Sequence, residues 1–254
     1  CAQADEHAET WREIGVRREA IVVTGSVKFD QEGIPPPVTR GEFGVMLNAF
    51  GRGRPVVLAA STHPGEEVLV ARAAAGVPGV LPVVLPRHAE RRREVRRELE
   101  QAGFEVVLRS EFREPEDPSR AVLVVDSTGE LRDWTAHADL VVIGKSLLAR
   151  GGQNPVEAIE AGVPVVCGLH MENFEPLISE LRTKGGVRTV SSEAGLEDAI
   201  AALLGRARER TSMAKRAAAV LTRHRGATAR TRELLAELAP GGTTDGEPGP
   251  HLEP

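Results

Sequence analysis

The stretch that decides the fold is residues 55–66, which read Pro-Val-Val-Leu-Ala-Ala-Ser-Thr-His-Pro-Gly-Glu. Its first six residues are apolar without a break. That pattern is typical of a strand that is buried on both faces of a parallel sheet. Polar residues follow where the strand would end, and a helical pattern begins at about residue 65 and continues to about 76. A buried strand that leads into a helix is the repeating unit of an α/β fold.

The same alternation continues towards the carboxyl terminus. Apolar runs predict six more strands, at 80–85, 104–108, 122–125, 140–143, 163–166 and 187–190. Helical patterns include a charged helix near 88–102 and a long helical region at about 195–238. We therefore predict an α/β fold, a Rossmann-like doubly wound parallel sheet with right-handed crossovers. Such sheets bind their ligands beyond the carboxyl ends of the strands.

The two ends of the chain differ from this pattern. Residues 4–14 predict a short amphipathic helix and residues 20–24 a strand. Residues 25–41 are rich in Gly and Pro, which is typical of a linker. Residues 239–254 are rich in Pro, Gly, Asp and Glu, and we expect this tail to be disordered. We thus divide the chain into a linker region, 1–40, a main domain, 41–238, and a tail.

Composition restricts the classes of function. The 254 residues are 41% hydrophobic and 27% charged, as in a soluble globular protein, and the net charge of −5 argues against general nucleic-acid binding. No apolar run reaches the length of a membrane span, which leaves peripheral attachment open. The two cysteines, Cys1 and Cys167, lack metal-ligand spacing, and we expect Cys167 in the core of a reduced protein. Because the chain begins at Cys1 without a Met or a leader pattern, we expect a fragment of a longer protein.

The first polar cluster follows the strand of residues 55–60. Ser61 or Thr62 is a candidate cap for the next helix, whose first-turn N–H groups, at Gly65 and beyond, could bind an anion. The structural alternative is a capped helix with His63 as a surface residue. Spacing alone favours that alternative.

The second cluster is Pro-Arg-His at 86–88, also at a strand end. Arg87 offers a permanent charge and a fork of donors suited to a phosphate or a base edge. Five further arginines alternate with glutamates on the charged helix, and we interpret most of them as a solvated face: Arg91, Arg92, Arg93, Arg96 and Arg97.

The third cluster, residues 126–131, has two interpretations. It contains a turn and a capping box in which Ser127 or Thr128 would be the cap. Alternatively, the backbone around Gly129 and Glu130 lines a base or sugar pocket.

The fourth cluster is the most informative. Gly144, Lys145 and Ser146 end a strand, and residues 151–157 open a helix with Gly-Gly-Gln-Asn-Pro-Val-Glu. Paired glycines allow a close approach of the backbone to a ligand, and a proline in the first helical turn leaves N–H groups to face a phosphate. Glu157 could accept hydrogen bonds from ribose hydroxyls and Lys145 could neutralise a leaving phosphate. The spacing is not that of a Walker loop.

The next strand leads into residues 168–174, where Met171 and Phe174 either close over a base or pack in the core. We expect Phe174 to pack and leave Met171 open. No Asp-x-Asp element follows a strand, so we expect neither a metal nor a cofactor. The charge of a leaving nucleotide would then be balanced by Lys145, Arg87 and helix N–H groups. This constellation favours a nucleotide-sugar site in the second domain of a two-domain glycosyltransferase.

Taken in order, these stretches resemble one family, the Kdo transferases of lipopolysaccharide synthesis, which transfer 3-deoxy-D-manno-octulosonic acid (Kdo). The matching segments are 61–66, 86–88, 129–131, 144–147, 151–157 and 170–174, within a resemblance that covers roughly residues 1–235, including 23–30. The resemblance implies a GT-B fold and an inverting, metal-independent transfer from CMP-Kdo to a lipid A precursor. It places the reaction at the cytoplasmic face of the bacterial inner membrane.

The resemblance also implies a set of donor-binding residues: Ser61, Thr62, His63, Gly65, Arg87, Gly129, Glu130, Gly144, Lys145, Ser146, Gly152, Gln153, Asn154, Glu157 and Met171. Gln153 stands where the family pattern leads us to expect a His, and a Gln cannot carry a proton. An acid role at this position is therefore in doubt.

The family has an N-terminal half that binds the acceptor, contacts the membrane and supplies a carboxylate base. Residues 1–40 resemble only the end of that half and the linker after it, so we assign no catalytic base. We expect this chain to bind CMP-Kdo weakly and not to transfer Kdo alone. The alternatives are another nucleotide-sugar GT-B transferase, a UDP-sugar epimerase, or a non-catalytic nucleotide-binding or partner-binding module.

Overall fold

A computed structural model describes residues 1–35 and 37–238. The chain forms two compact units. The terminal unit comprises Cys1–Ile34 and the described residues 221–238, and the sheet unit comprises Pro35–Val220. The predicted disordered tail, 239–254, lies outside the described residues.

The sheet unit contains seven parallel strands. They are β1 (Val56–Thr62), β2 (Leu81–Pro86), β3 (Glu105–Leu108), β4 (Ala121–Val124), β5 (Leu140–Ile143), β6 (Val165–Cys167) and β7 (Val187–Thr189). Each lies within about two residues of its predicted position, so the predicted strands of the α/β sheet are confirmed. Continuous Val and Leu runs form these strands because both faces of a parallel sheet are covered.

The helices are α1 (Asp5–Glu13), α2 (Gly41–Ala49), α3 (Glu66–Ala75), α4 (Arg92–Gln101), α5 (Leu131–Thr135), α6 (Val156–Glu160), α7 (Leu177–Thr183), α8 (Glu193–Gly205), α9 (Ala207–Leu221) and α10 (Ala227–Leu238). The long helical region predicted at 195–238 is therefore three helices. One break is at Arg206, whose backbone is not helical, and the other is a 3₁₀ turn at Thr222–His224 followed by Gly226 at φ +73°.

The predicted strand at 20–24 is wrong. Residues Arg18–Ala20 form a 3₁₀ turn, and Val23 makes only an isolated bridge with Ala2. Val22 and Val23 are both about 40% exposed. A β-rich run needs a neighbouring strand to pair with, and a single bridge partner does not extend into a ladder.

The strand order is β3-β4-β2-β1-β5-β6-β7. On one side of β1 lie β2, β4 and the edge strand β3. The chain then crosses to the other side of β1, where β5, β6 and β7 follow in order. The order therefore reverses between β1 and β5, which are adjacent and hydrogen-bonded from Val57 to Ala60 on β1.

The core lies on both faces of the sheet. On one face, helices α3, α4 and α8 pack through Val70, Leu99 and Ile200, which are fully buried. Alternate strand residues such as Leu58 point the other way and are also buried. Cys167 is buried in β6 as expected, and burial raises the pKa of its thiol. None of the described helices combines the length and apolar character needed to cross a bilayer.

Candidate functional site

Two loops meet where the strand order reverses. Residues 63–65 follow β1, and residues 144–154 follow β5. The connections that leave β1 and β5 run to opposite sides of the sheet, so a crevice forms between the two loops. Doubly wound sheets bind their ligands in such a crevice. Four of the predicted clusters therefore share one edge of the sheet, and the first and fourth lie side by side.

Gly144 makes this close approach possible. Its N–H donates to the carbonyl of Ala60 at 2.8 Å. A Cβ added at Gly144 would lie 2.2 Å from the carbonyl oxygen of Ser61, too close for any side chain. The ends of β1 and β5 can touch because this residue has no side chain.

Glu66 joins the two loops through its carboxylate. The side chain is fully buried in the first turn of α3, and it accepts a hydrogen bond from the N–H of His63 at 3.0 Å. Four consecutive N–H groups across the crevice also donate to it, at 2.6 Å from Lys145, 3.1 Å from Ser146, 3.0 Å from Leu147 and 3.4 Å from Leu148. The sequence pattern did not indicate a role for Glu66, although it lies in the matched segment 61–66. A carboxylate that is bonded so often is tightly held.

The predicted cap at Ser61 or Thr62 is wrong. Both residues belong to β1, and the residue that precedes α3 is Gly65 at φ +86°, with no side-chain cap. Ser61 lies in a bulge at φ +56°. Thr62 is buried and donates to the carboxylate of Glu67 at 3.0 Å. The strand continues two residues beyond its apolar run because buried polar partners replace apolar packing there.

His63 and Gln153 face each other across the crevice. The side-chain nitrogen of Gln153 lies 3.0 Å from Nε2 of His63. An amide nitrogen can only donate, so Nε2 accepts and the ring proton lies on Nδ1. Burial lowers the pKa of His63 against the opposing charge of Glu66, and the positive charge of Lys145 adds to the lowering. His63 is therefore a neutral imidazole at pH 7, whose Nδ1–H is a donor.

Most N–H groups of the 151–156 loop are already bonded, which corrects the expectation that they face a phosphate. Gly151 donates to Glu172 at 2.7 Å, Gly152 to the Lys145 carbonyl at 2.9 Å and Gln153 to the Gly144 carbonyl at 3.1 Å. The N–H of Val156 donates to the side chain of Asn154 at 3.1 Å. Together with the four N–H groups that Glu66 occupies, these bonds make the loop a preformed frame. Anion binding then depends on side-chain cations.

Two cations stand at this edge. Lys145 is half-buried and has a left-handed backbone at φ +53°. Arg87 is exposed, and its N–H donates to the carbonyl of Thr62 at 3.0 Å, so that the segment after β2 is attached to the end of β1. Within residues 1–35 and 37–238 neither side chain is ion-paired. Both charges are thus available to an anionic ligand.

Glu157 lies in the first turn of α6 and is half-buried. Burial raises the pKa of its carboxyl, and the charge of Arg132 on α5 opposes that shift. A ligand hydroxyl that donates to this carboxylate would favour its ionised form.

Glu130 is engaged in an ion-pair network. Its carboxylate meets Arg109 at 2.6 Å and 2.7 Å and Arg40 at 3.6 Å. Ser127 donates to the same carboxylate, and the residue before α5 is Glu130 itself, without a side-chain cap. The proposed capping box is therefore absent, and the Glu130 side chain connects loops of the protein. Gly129, at φ +79°, is exposed.

Ser146 and Met171 lie inside the protein. Ser146 is fully buried, donates its hydroxyl proton to the carbonyl of Ile143 and accepts the N–H of Gly168 at 2.8 Å. Met171 is 1% exposed, and its sulfur lies 2.4 Å from the position of a Cβ added at Gly152. These two side chains lie behind the loops and shape them, and their predicted contact with the donor stays a prediction. Phe174 is buried, so its predicted packing role is confirmed.

Arg91 does not belong to the solvated face of α4. It donates to the buried carboxylate of Glu67 at 2.7 Å and to Glu94 at 3.0 Å, and its side chain is 13% exposed. Burial raises the pKa of Glu67 despite the charge of Arg91. The pair connects β1, α3 and the segment after β2. Within the described part of the chain, no group of three or more His, Cys, Asp or Glu residues is arranged to hold a metal ion.

Comparison with known proteins gives a consistent result. No protein-family model matches the sequence. The chain is 34% identical over 242 residues to the 3-deoxy-D-manno-octulosonic acid transferase of Bordetella pertussis and 30% identical over 239 residues to that of Haemophilus influenzae. Each alignment covers 92% of this chain and 55% of the relative. The chain therefore spans about half the length of the curated relatives it matches.

Solved structures agree with these relatives. The C-terminal CMP-Kdo binding domain of WaaA from Acinetobacter baumannii matches with a TM-score of 0.63 and 26% identity, over 71% of this chain and 93% of that domain. A trehalose-phosphate synthase from Burkholderia vietnamiensis shares the fold, with a TM-score of 0.58 and 17% identity over 93% of this chain and 59% of that one. The predicted Rossmann-like domain of a GT-B glycosyltransferase is thereby confirmed. The chain belongs to the 3-deoxy-D-manno-octulosonic acid transferase family.

Proposed function

We propose that this chain binds CMP-Kdo and is the donor half of an enzyme that transfers Kdo to a lipid A precursor. The observation that carries the proposal is the preformed loop at the β1–β5 crevice, with Lys145 and Arg87 unpaired beside it. A frame of bonded backbone with two available cations suits a nucleoside monophosphate ester. The similarity to a CMP-Kdo binding domain supports this donor.

The crevice residues have complementary tasks in this proposal. Lys145 and Arg87 balance the phosphate, and Glu157 accepts hydrogen bonds from the ribose hydroxyls. His63, whose Nε2 is bonded to Gln153, donates through Nδ1 to an oxygen of the donor. Gly65, Gly144 and Gly152 let the loops pack closely, and the backbone at Gly129 leaves space for the ligand. The loops are held in place by Ser61, Thr62, Ser146, Asn154, Glu130 and Met171.

The transfer breaks the bond between the anomeric carbon of Kdo and the phosphate oxygen, and an acceptor hydroxyl forms the new bond from the opposite face. CMP leaves with additional negative charge, which the two cations stabilise without a metal. The hydroxyl proton must pass to a base, and we assign that base to the acceptor half of the longer relatives. Residues 1–40 are the end of that half and the linker, and 41–238 form the donor domain. The reaction takes place at the cytoplasmic face of the inner membrane, which the acceptor half contacts.

Titration with nucleotides tests the donor. We expect isothermal titration calorimetry to show binding of CMP that is at least about tenfold tighter than that of UDP. A clear preference for UDP would instead favour another GT-B transferase or an epimerase. Absence of binding by either nucleotide would reject a donor site in this chain.

A second titration tests the assignment of Glu157. CMP and 2′,3′-dideoxy-CMP should differ in affinity by about tenfold for the unchanged chain, because a lost ribose hydrogen bond to a charged group weakens binding by that order. In Glu157→Ala the two ligands should bind equally. A difference that persists in the variant would remove Glu157 from the ribose site. Glu100→Ala, on the exposed side of α4, is the matched control and should preserve the difference.

A further inference from the structure

We propose that Glu66 is the positioning residue of the donor site. Its carboxylate holds the backbone of residues 145–148 in the one conformation that presents Lys145 to the donor phosphate. This inference rests on the proposed function, and it adds a residue that does not itself touch the ligand.

Both carboxylate oxygens take part. Oε2 accepts from His63 at 3.0 Å and from Lys145 at 2.6 Å. Oε1 accepts from Ser146, Leu147 and Leu148 at 3.0–3.4 Å. An ionised carboxylate offers about four acceptor positions, so this one is fully used. The partners in the loop after β5 are 79 to 82 residues away in sequence, so the bonds connect two loops and do not merely complete a helix start.

An ordinary capping glutamate accepts one N–H of its own helix start, as Glu66 does with His63. The four additional bonds have no place in that motif. They arise because the chain after β5 turns its consecutive N–H groups towards one point, and a buried negative charge lies at that point. Successive N–H groups that converge in this way form a concave anion site, which this protein fills with its own side chain.

The conformation of Lys145 shows why the loop needs this charge. Its backbone is left-handed at φ +53°, which a residue with a Cβ rarely adopts. Its N–H makes the shortest of the five bonds to Glu66. The carbonyls of Lys145 and Ser146 then accept from Gly152 at 2.9 Å and His170 at 3.1 Å. Release of Glu66 would thus loosen Lys145 and the two neighbouring loops together.

The decisive variant is Glu66→Gln, which keeps the shape of the side chain and replaces one acceptor oxygen by an NH₂ group. That NH₂ group would face N–H donors in place of an acceptor. We expect hydrogen exchange at residues 145–148 to become at least about tenfold faster, and the CMP affinity to fall by about tenfold. Exchange in β1 at residues 56–60 should change little, which distinguishes local release from general loosening.

Two further variants make the test specific. Glu66→Asp keeps the charge but places the carboxylate farther from the N–H groups of residues 145–148, so it should lose less CMP affinity than Glu66→Gln. If Glu66→Gln does not fold, Glu66→Asp provides the test through the same two measurements. Val95→Ala on α4 removes buried volume away from the crevice and controls for lost stability, and it should leave CMP affinity within about twofold.

The outcomes separate the two proposals. Normal CMP binding by the unchanged chain together with unchanged binding by Glu66→Gln overturns the role of Glu66 alone, as does unchanged exchange at residues 145–148. An unchanged chain that binds no CMP overturns the proposed function, and the inference fails with it.

Discussion

Among single residues, Gly144 and Glu66 bring the two loops of the crevice together in different ways. Gly144 lets two strand ends touch because it has no side chain, and Glu66 holds the same two loops together through a buried charge. Lys145 lies between them with a left-handed backbone, so its position depends on both neighbours. The geometry of the cationic side chain is thus set by residues that do not need to contact a ligand.

Gly144→Ala should damage both stability and binding. The added methyl group would lie 2.2 Å from the Ser61 carbonyl and force the ends of β1 and β5 apart. Overpacking of this kind costs about 1–3 kcal/mol of unfolding free energy, measurable by urea denaturation. We expect a parallel loss of CMP affinity in calorimetry.

Gly44→Ala is the matched control for that experiment. Nothing lies within 4 Å of a Cβ added at Gly44 in α2, and its backbone is helical. The substitution should therefore stabilise the helix by about 0.5–1 kcal/mol. If the two variants behaved alike, the steric argument at Gly144 would be wrong.

At the level of secondary-structure elements, the loop after β4 is held by charge. Glu130, just before α5, joins Arg109, which follows β3, and Arg40, which precedes α2. Phe43 of α2 stacks on Trp134 of α5 with ring centroids 3.9 Å apart, and both rings are buried. Short helices such as α5 have few hydrogen bonds of their own, so these contacts determine their position.

Glu130→Ala should therefore lower the unfolding free energy by about 2 kcal/mol, because it leaves the mostly buried Arg109 without its main partner. Glu100→Ala removes an exposed partner of Arg96 at 3.9 Å and should cost less than about 0.5 kcal/mol. Urea denaturation measures both. Equal costs would show that the Glu130 network contributes no more than a surface pair.

The terminal unit should be sensitive to pH through the turn between α9 and α10. His224 is buried there, and its Nδ1 accepts the N–H of Ser26 at 3.1 Å, which requires an unprotonated nitrogen. Burial, together with the charges of Arg223 and Arg230, lowers the pKa of His224 from 6.5 to about 4, against an opposing effect of Asp30. As pH falls below 6.5, the unfolded chain binds a proton that the folded unit does not bind.

We therefore expect the stability of the terminal unit to be full at pH 7 and to decrease as pH falls from about 6.5 towards 4. Hydrogen exchange at residues 24–30, measured between pH 5 and 7 and corrected for intrinsic rates, reports this loss. His224→Asn keeps an acceptor near the position of Nδ1 and cannot be protonated, so its exchange should depend less on pH. An equally steep dependence in that variant would exclude His224 as the cause.

For the whole molecule, the main fact is its extent. The alignment with the Bordetella pertussis relative covers 92% of this chain but only 55% of that protein. In our proposal the residues of this chain bind the activated sugar, and the base and the acceptor surface belong to the acceptor half of the longer relatives. Binding and transfer should therefore be separable in experiments.

The chain alone should release no Kdo from CMP-Kdo onto a lipid A precursor, and it should gain transfer when joined to the remaining part of the Bordetella pertussis protein. Mass spectrometry of the acceptor detects the added Kdo. A joined protein with Glu66→Gln serves as the control for the donor site and should transfer more slowly. Transfer by the chain alone would show that the base lies within it.

The sequence predicted the fold more completely than the contacts of the site. All seven strands of the sheet were predicted, because a continuous apolar run is a local property of the sequence. The predicted strand at 20–24 is wrong, because a strand also needs a pairing partner, which local sequence does not show. The clusters at the strand ends were found, since parallel strands bring their carboxyl ends to one edge. Three features were not predicted: the inward direction of Ser146, the pairing of Arg91 with Glu67 and the network of Glu130. Each depends on a partner that is distant in sequence.

The sequence by itself thus determined the α/β class, the family and the segments that form the crevice. Those conclusions depend on short-range patterns of apolar, glycine and charged residues. The tertiary structure decided which of those residues face a ligand. The reversal of strand order places β1 beside β5, and this brings Glu66 to four N–H groups that lie 79 to 82 residues further along the chain. A hydrogen bond acts over about 3 Å in space regardless of separation in sequence, so only the folded chain shows which partners it joins.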